Sequence, residues 1–187
     1  LEDKAGNLMK QISERIICDA GVFKVSEVQL TKGDKTVIHS VVRFPGTVCV
    51  LPVTENGTLI LEKQYRSPAG KILIEIPAGK IDEGESPEVC MRRELEEETG
   101  YRVLDFEKVY EAYTSCGCLD EYLHYFIANV EKIDENERNL YPDLNEDIEI
   151  FEVDVDEAMR MIRDREIIDA KTILMITSYL SEKQKLR

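Results

Sequence analysis

Three glutamates, Glu94, Glu97 and Glu98, stand at i, i+3 and i+4 within the run RELEEET. At about 3.6 residues per turn, their side chains would leave a helix within one narrow sector. Like charges held that close repel, and a surface helix gains nothing from the repulsion. Hard divalent cations such as Mg²⁺ bind oxygen ligands and would neutralise it. An ordinary solvated helix face in an acidic chain would also carry such a run. The flanking residues therefore decide between the two.

Those flanks place each part of a helix and its approach. Pro77-Ala78-Gly79 and Gly84-Glu85 form a flexible loop ahead of the run, and Gly100 falls at the C′ position behind it. Ser86 is positioned to cap the helix, and Pro87 suits its first turn. Val89 and Leu95 are expected to face inward.

Gly79, five residues, Glu85, seven residues, Arg93-Glu94-Leu95, one residue, Glu97-Glu98, one residue, Gly100 and a bulky apolar-type residue follow in fixed order. This pattern resembles the complete signature of the Nudix hydrolases; Tyr101 stands where that family usually has an aliphatic residue. The resemblance implies a metal-dependent hydrolase of a nucleoside diphosphate linked to another group, using Mg²⁺ or Mn²⁺. It also implies roles by position. Glu94 and Glu98 would be the main metal ligands, Glu97 a further or water-mediated one, and the Ala78 carbonyl another. Glu85 and Arg93 are similar to a structural ion pair of the family that locks loop to helix, and Gly79 and Gly100 are structural positions of the same motif.

The chain that must hold this helix has 187 residues, enough for one domain of ordinary size with room for an added subdomain. With 38 acidic against 24 basic residues its net charge is −14, which argues against a nucleic-acid backbone or an anionic membrane as the main partner. No stretch approaches the roughly 18 apolar residues of a membrane span, and LEDKAGNLMKQ lacks the basic and apolar regions of a signal peptide. A cytoplasmic protein is expected. Five scattered cysteines fit reduced thiols better than a disulfide frame, and Cys116-Gly117-Cys118 has no second pair with which to complete a metal site. His39 and His124 are far apart, and no Ser, His and Asp arrangement supports nucleophilic catalysis.

Between Ile12 and about Val42 apolar and polar residues largely alternate, with a Lys32-Gly33-Asp34 turn, which predicts a small antiparallel meander. Such a sheet is marginal alone and must cover something. It resembles the N-terminal extension of the ADP-ribose pyrophosphatase branch of the Nudix family. That resemblance implies a homodimer in which the extension, residues 1–44, helps enclose the partner's substrate, with the hydrolase domain at 45–187. On the same ground Phe23 is a candidate to stack on a nucleobase, beside its plain reading as a core phenylalanine.

Beyond it, TVCVLPV, a Glu55-Asn56-Gly57 turn and TLILEKQYR read as a hairpin of the catalytic-domain sheet. Gln64-Tyr65-Arg66 and the later LIEIPAG are similar to a pattern of the ADP-ribose branch in which the arginine reaches substrate phosphate. Arg66 is assigned that role, since a guanidinium matches phosphate oxygens in a two-pronged geometry. Glu75 is either a substrate contact or an inward partner for a helix.

VLDFEKVYEAY and EYLHYFIANV read as strands on either side of TSCGCLDE. Families that hydrolyse ADP-ribose often carry Ser-Pro-Gly there; Cys116 occupies the proline's place, which keeps another nucleotide sugar such as GDP-mannose open as substrate. Residues 131–145 read as a long acidic loop. Glu146 at its end is the best positional match to the family's further metal ligand or general base, with Asp147 in reserve. The segments VDEAMRMIRDREI and AKTILMITSYLSEK have helical periodicity, with Asp154 or Asp156 placed to cap the first. The expected fold is an α/β/α sandwich with a mixed sheet and a small N-terminal antiparallel sheet. The implied activity is cleavage of ADP-ribose to AMP and ribose 5-phosphate. A nucleotide-sugar binding module without catalysis is the alternative of another class, but no signature carboxylate is missing.

Overall fold

The computed structural model describes residues 8–142 and 147–185. The chain divides into two compact units, Leu1–Gly46 with Ala112–Leu123, and Thr47–Glu111 with His124–Arg187.

Three antiparallel strands make the first unit's sheet: β1 (Lys10–Asp19), β2 (Lys24–Lys32) and β3 (Lys35–Arg43). Gly33 turns β2 into β3 with φ of 60°, a left-handed conformation that glycine adopts without strain. Every residue of β1 is exposed, including Ile12, Ile16 and Ile17. The unit is larger than the residues 1–44 expected, because it takes in the connection 112–123. Val42 N–H donates to the Cys118 carbonyl at 2.7 Å, and Asp120 N–H returns to the Val42 carbonyl at 3.1 Å. Arg43 fastens the edge by pairing with Asp120 at 3.0 Å and Glu14 at 2.8 Å.

The second unit is built on a mixed sheet of seven strands. Its spatial order is β10 (Ile148–Val153), β5 (Leu59–Arg66), β4 (Thr47–Thr54), β9 (Tyr122–Lys132) and β8 (Tyr101–Tyr113). Short β6 (Lys71–Glu75) adds to β5, and β7 (Ala78–Lys80) adds to β4. Residues 131 and 132, read as loop from their polarity, continue β9. Val48 and Val50 of β4 pack with Ile60 against Cys90, Met91 and Leu95 of helix α1 (Pro87–Thr99). Alternation turns Cys49 and Leu51 to the opposite face. Helix α3 (Ala170–Lys185) lies against β4 and β6, and α2 (Val155–Arg163) packs on α3. Asp154 stands at the N-cap of α2 but makes no side-chain cap bond. Among the described residues no helix is long and apolar enough to cross a membrane.

Ser86 Oγ accepts the Val89 N–H at 3.3 Å, Pro87 opens α1, and Gly100 ends it with φ of 71°, donating to the Glu96 carbonyl. Val89 does not face inward; it is 57% exposed. The buried stripe runs through Met91 and Leu95, four residues apart, and Val89 lies about 200° around the helix from Met91. Tyr101 fills its aliphatic-type position as a buried ring whose hydroxyl reaches out to donate to Glu152 at 2.8 Å. Burial and that carboxylate push its pKa up to about 12.

Candidate active site

Residues 75–79 join the sheet to both of the helices that flank it. Glu75, at the end of β6, binds the Arg66 guanidinium through Oε1 at 2.8 Å and Oε2 at 3.0 Å, and also accepts from Lys171 of α3. Ile76 N–H donates to Thr172 Oγ1 of α3 at 2.9 Å. Ala78 N–H donates to Glu98 Oε2 of α1 at 3.1 Å. Gly79 lies directly under the Glu94 side chain. Part of the stretch read from sequence as flexible loop is thus strand β7, and its pairing with β4 and its hydrogen bonds to both helices set the distance from the sheet to the acidic face of α1.

On that face Arg93 is the organising cation. Its Nε and Nη2 each donate to Glu85 at 2.9 Å, and Nη2 also reaches the Lys80 carbonyl at 3.3 Å. Its Nη1 lies between Glu94 Oε1 at 2.9 Å and Glu97 Oε2 at 3.0 Å. The guanidinium holds the Glu85 carboxyl at about 2, well below its ordinary value. Glu98 is 5% exposed because its carboxylate turns in to the Ala78 N–H.

The donor set suits a hard divalent cation: three carboxylates on one helix sector, two of them already converging on a positive group. Among the described residues no three ligating side chains converge closely enough to enclose an ion as they stand. Arg93 Nη1 occupies the position between Glu94 and Glu97, so an ion bound by both would displace that contact.

Arg66 is half-buried, and Glu75 engages its Nε and Nη2 while no residue described accepts from Nη1. Burial opposes its charge, but Glu75, buried Glu62 and Glu98 outweigh that and raise its pKa. Glu75 is the mirror case: burial would raise its pKa, while Arg66 and Lys171 bring it down. β10 begins opposite Gln64, so exposed Asp147 precedes it at the Arg66 end of β5. Glu146 lies outside the described residues. Phe23 sits in the β1–β2 turn of the first unit, where Ala20 N–H donates to its carbonyl, and is 39% exposed. Cys116 and Cys118 are exposed, and none of the five cysteines forms a disulfide.

Two contributors escaped the sequence reading. Arg138, in the acidic loop, donates to the Glu97 carbonyl and the Leu140 carbonyl at 2.9 Å each and braces the C-terminal end of α1. Lys171 enters from α3. A cation in the first turn of a helix, against the dipole's preference, was its available signal.

A family model, the NUDIX domain, matches residues 43–174, and the chain belongs to the Nudix family. It is 39% identical over 186 residues to an ADP-ribose pyrophosphatase of Bacillus subtilis, covering 96% of this chain and 98% of that protein. It is 41% identical over 142 residues to a GDP-mannose pyrophosphatase of Cronobacter sakazakii, covering 72% of each. A crystal structure of an ADP compounds hydrolase shares the fold with a TM-score of 0.78 at 18% identity, covering 94% of this chain and 95% of that one.

Proposed function

We propose that this chain is a divalent-metal-dependent pyrophosphohydrolase that cleaves ADP-ribose to AMP and ribose 5-phosphate. The observation that carries the reading is the acidic face of α1 gathered over Ala78 and Gly79, with an arginine held at the end of the neighbouring strand. Glu94, Glu97, Glu98 and the Ala78 carbonyl would hold Mg²⁺ or Mn²⁺. Such an ion supplies charge neutralisation on the pyrophosphate and acidity to water.

The chain's own groups do the rest. Arg66 offers its uncommitted Nη1 to a phosphate oxygen and orients the diphosphate. Glu146, with Asp147 in reserve, takes the proton of the attacking water. The water oxygen adds to one phosphorus, the bridging P–O bond breaks, and each phosphate leaves on its own product. Glu85 and Arg93 fix the loop to the helix so that the carboxylates keep their positions. The N-terminal sheet, with its exposed apolar residues, forms a homodimer and brings Phe23 to a nucleobase. Cysteines outside any disulfide suit a cytoplasmic setting.

A second reading keeps the chemistry and changes the sugar nucleotide to GDP-mannose. It is favoured by the likeness to GDP-mannose pyrophosphatases and by Cys116 in the β8–β9 connection. Hydrolysis of ADP-ribose, GDP-mannose, NADH and a dinucleoside polyphosphate, each with Mg²⁺ and with chelator, separates the two. ADP-ribose is expected to be preferred and its turnover abolished by chelator. A preference for GDP-mannose would replace the substrate, and chelator-resistant turnover would remove the metal.

A further inference from the structure

Lys171 is placed against two physical preferences. It is the second residue of α3, in the turn where a helix dipole favours anions, and its side chain is only 15% exposed. A buried ammonium is costly unless its charge is used. Here it is used twice: Nζ donates to Glu75 Oε2 and lies 3.1 Å from Asp169 Oδ2. Burial opposes the charge, yet Asp169 and Glu75 more than compensate and keep the ammonium protonated.

The same helical turn is tied to the 75–79 stretch by its backbone partners. Asp169 accepts from Thr172 N–H at 2.9 Å and from its hydroxyl at 2.6 Å, which leaves Thr172 Oγ1 to receive Ile76 N–H. Glu75 is 3% exposed on its side chain, so its charge must be met from within. Arg66 covers both oxygens and Lys171 shares Oε2. Arg66 also feels Glu62 and Glu98, two further carboxylates. With Lys171 removed, the surroundings of Arg66 become one charge more negative, and Glu75 is left to Arg66 alone.

We infer that Lys171 is a positioning residue for phosphate recognition: by sharing the Glu75 carboxylate, it keeps the Arg66 guanidinium oriented and available to the substrate diphosphate. This rests on the reading of Arg66 as the phosphate ligand. Lys171 acts through Glu75 and touches no reacting atom.

Steady-state kinetics on ADP-ribose and GDP-mannose test it, using whichever the wild type turns over. Lys171→Gln is expected to raise KM about tenfold while kcat changes far less, the size of one lost charge-assisted hydrogen bond. Lys171→Arg, which keeps the cation, should restore most of the KM. In a Glu75→Gln background the Lys171→Gln change should move KM by less than about twofold, since the shared partner is gone. That pair removes the Glu75 charge together with the cation, and Asp169 keeps both Thr172 donors; a KM change above about twofold there overturns the inference even if Lys171→Gln alone fails to fold. An unchanged KM in Lys171→Gln, or an equal effect in the Glu75→Gln background, overturns the inference. Arg66→Ala with unchanged KM would instead remove the phosphate role of Arg66, and the inference with it.

Discussion

A Cβ built on Gly79 would stand 1.8 Å from the Glu94 carboxyl carbon and 2.1 Å from its Oε1. The glycine is therefore a matter of space, because β7 passes directly beneath the α1 carboxylate. Contacts below 3.0 Å force one side to move, and here the mobile side is a carboxylate that also receives Arg93.

Gly79→Ala is accordingly predicted to displace Glu94 rather than unfold the chain. Turnover should fall by on the order of 10²-fold, since a metal-bearing carboxylate supplies several kcal/mol of transition-state stabilisation. The thermal midpoint should move by only a few degrees, as for a local strain of about 1 kcal/mol. Activity and melting measured on one preparation check this; a large melting shift with proportionate activity would show a packing defect instead.

Glu98→Gln tests the carboxylate that lies deepest. The amide oxygen can still accept the Ala78 N–H, so the tie between β7 and α1 survives while the charge is lost. The expected outcome is an intact fold, by circular dichroism and melting, with turnover reduced on the order of 10²-fold or more at saturating Mg²⁺. Turnover near wild type would remove Glu98 from the metal site.

How much of this was legible in the sequence depended on distance along the chain. The cap at Ser86, the stop at Gly100 and the sector shared by Glu94, Glu97 and Glu98 follow from local spacing. Burial was harder to read. Glu98 turns inward because a backbone N–H twenty residues earlier needs an acceptor, and Val89 turns outward because Met91 and Leu95 already fill the core side. Lys171 and Glu75 are 96 residues apart, and only the packing of α3 on β6 brings them together. Arg138 was hidden by the acidic composition of its loop.

The Glu85–Arg93 pair should give acid stability a definite shape. Glu85 is held at about 2 against an ordinary 4.5, chiefly by the Arg93 guanidinium. A carboxyl whose pKa is lowered on folding contributes stability that is complete above its unfolded value and is lost as pH falls through its folded value. The stability difference between wild type and Glu85→Gln should be constant above about pH 5 and shrink as pH falls from 4.5 toward 2. Urea melts at stepped pH values measure it; a difference that stays flat to about pH 2 would mean that the pair adds nothing on folding.

The N-terminal sheet leads to a prediction about assembly. Among the described strands β1 pairs with β2 alone, and all ten of its residues are exposed, with Ile12, Ile16 and Ile17 each about half accessible or more. Phe23, in the turn that follows, and Ile38 on β3 add to the uncovered apolar surface. A three-stranded sheet with this much apolar area in water is poorly stabilised unless another surface covers it. A second copy would do so symmetrically, and a stable interface of about 800 Å² per partner is within reach of a sheet this size. Light scattering at micromolar concentration is expected to give twice the 21.5 kDa chain mass. Ile16→Asp with Ile38→Asp should shift it toward the monomer, while Glu98 and its neighbours on α1, in the other unit, keep their geometry. A monomeric wild type would mean that the exposed residues serve some other contact, and the homodimer would be abandoned.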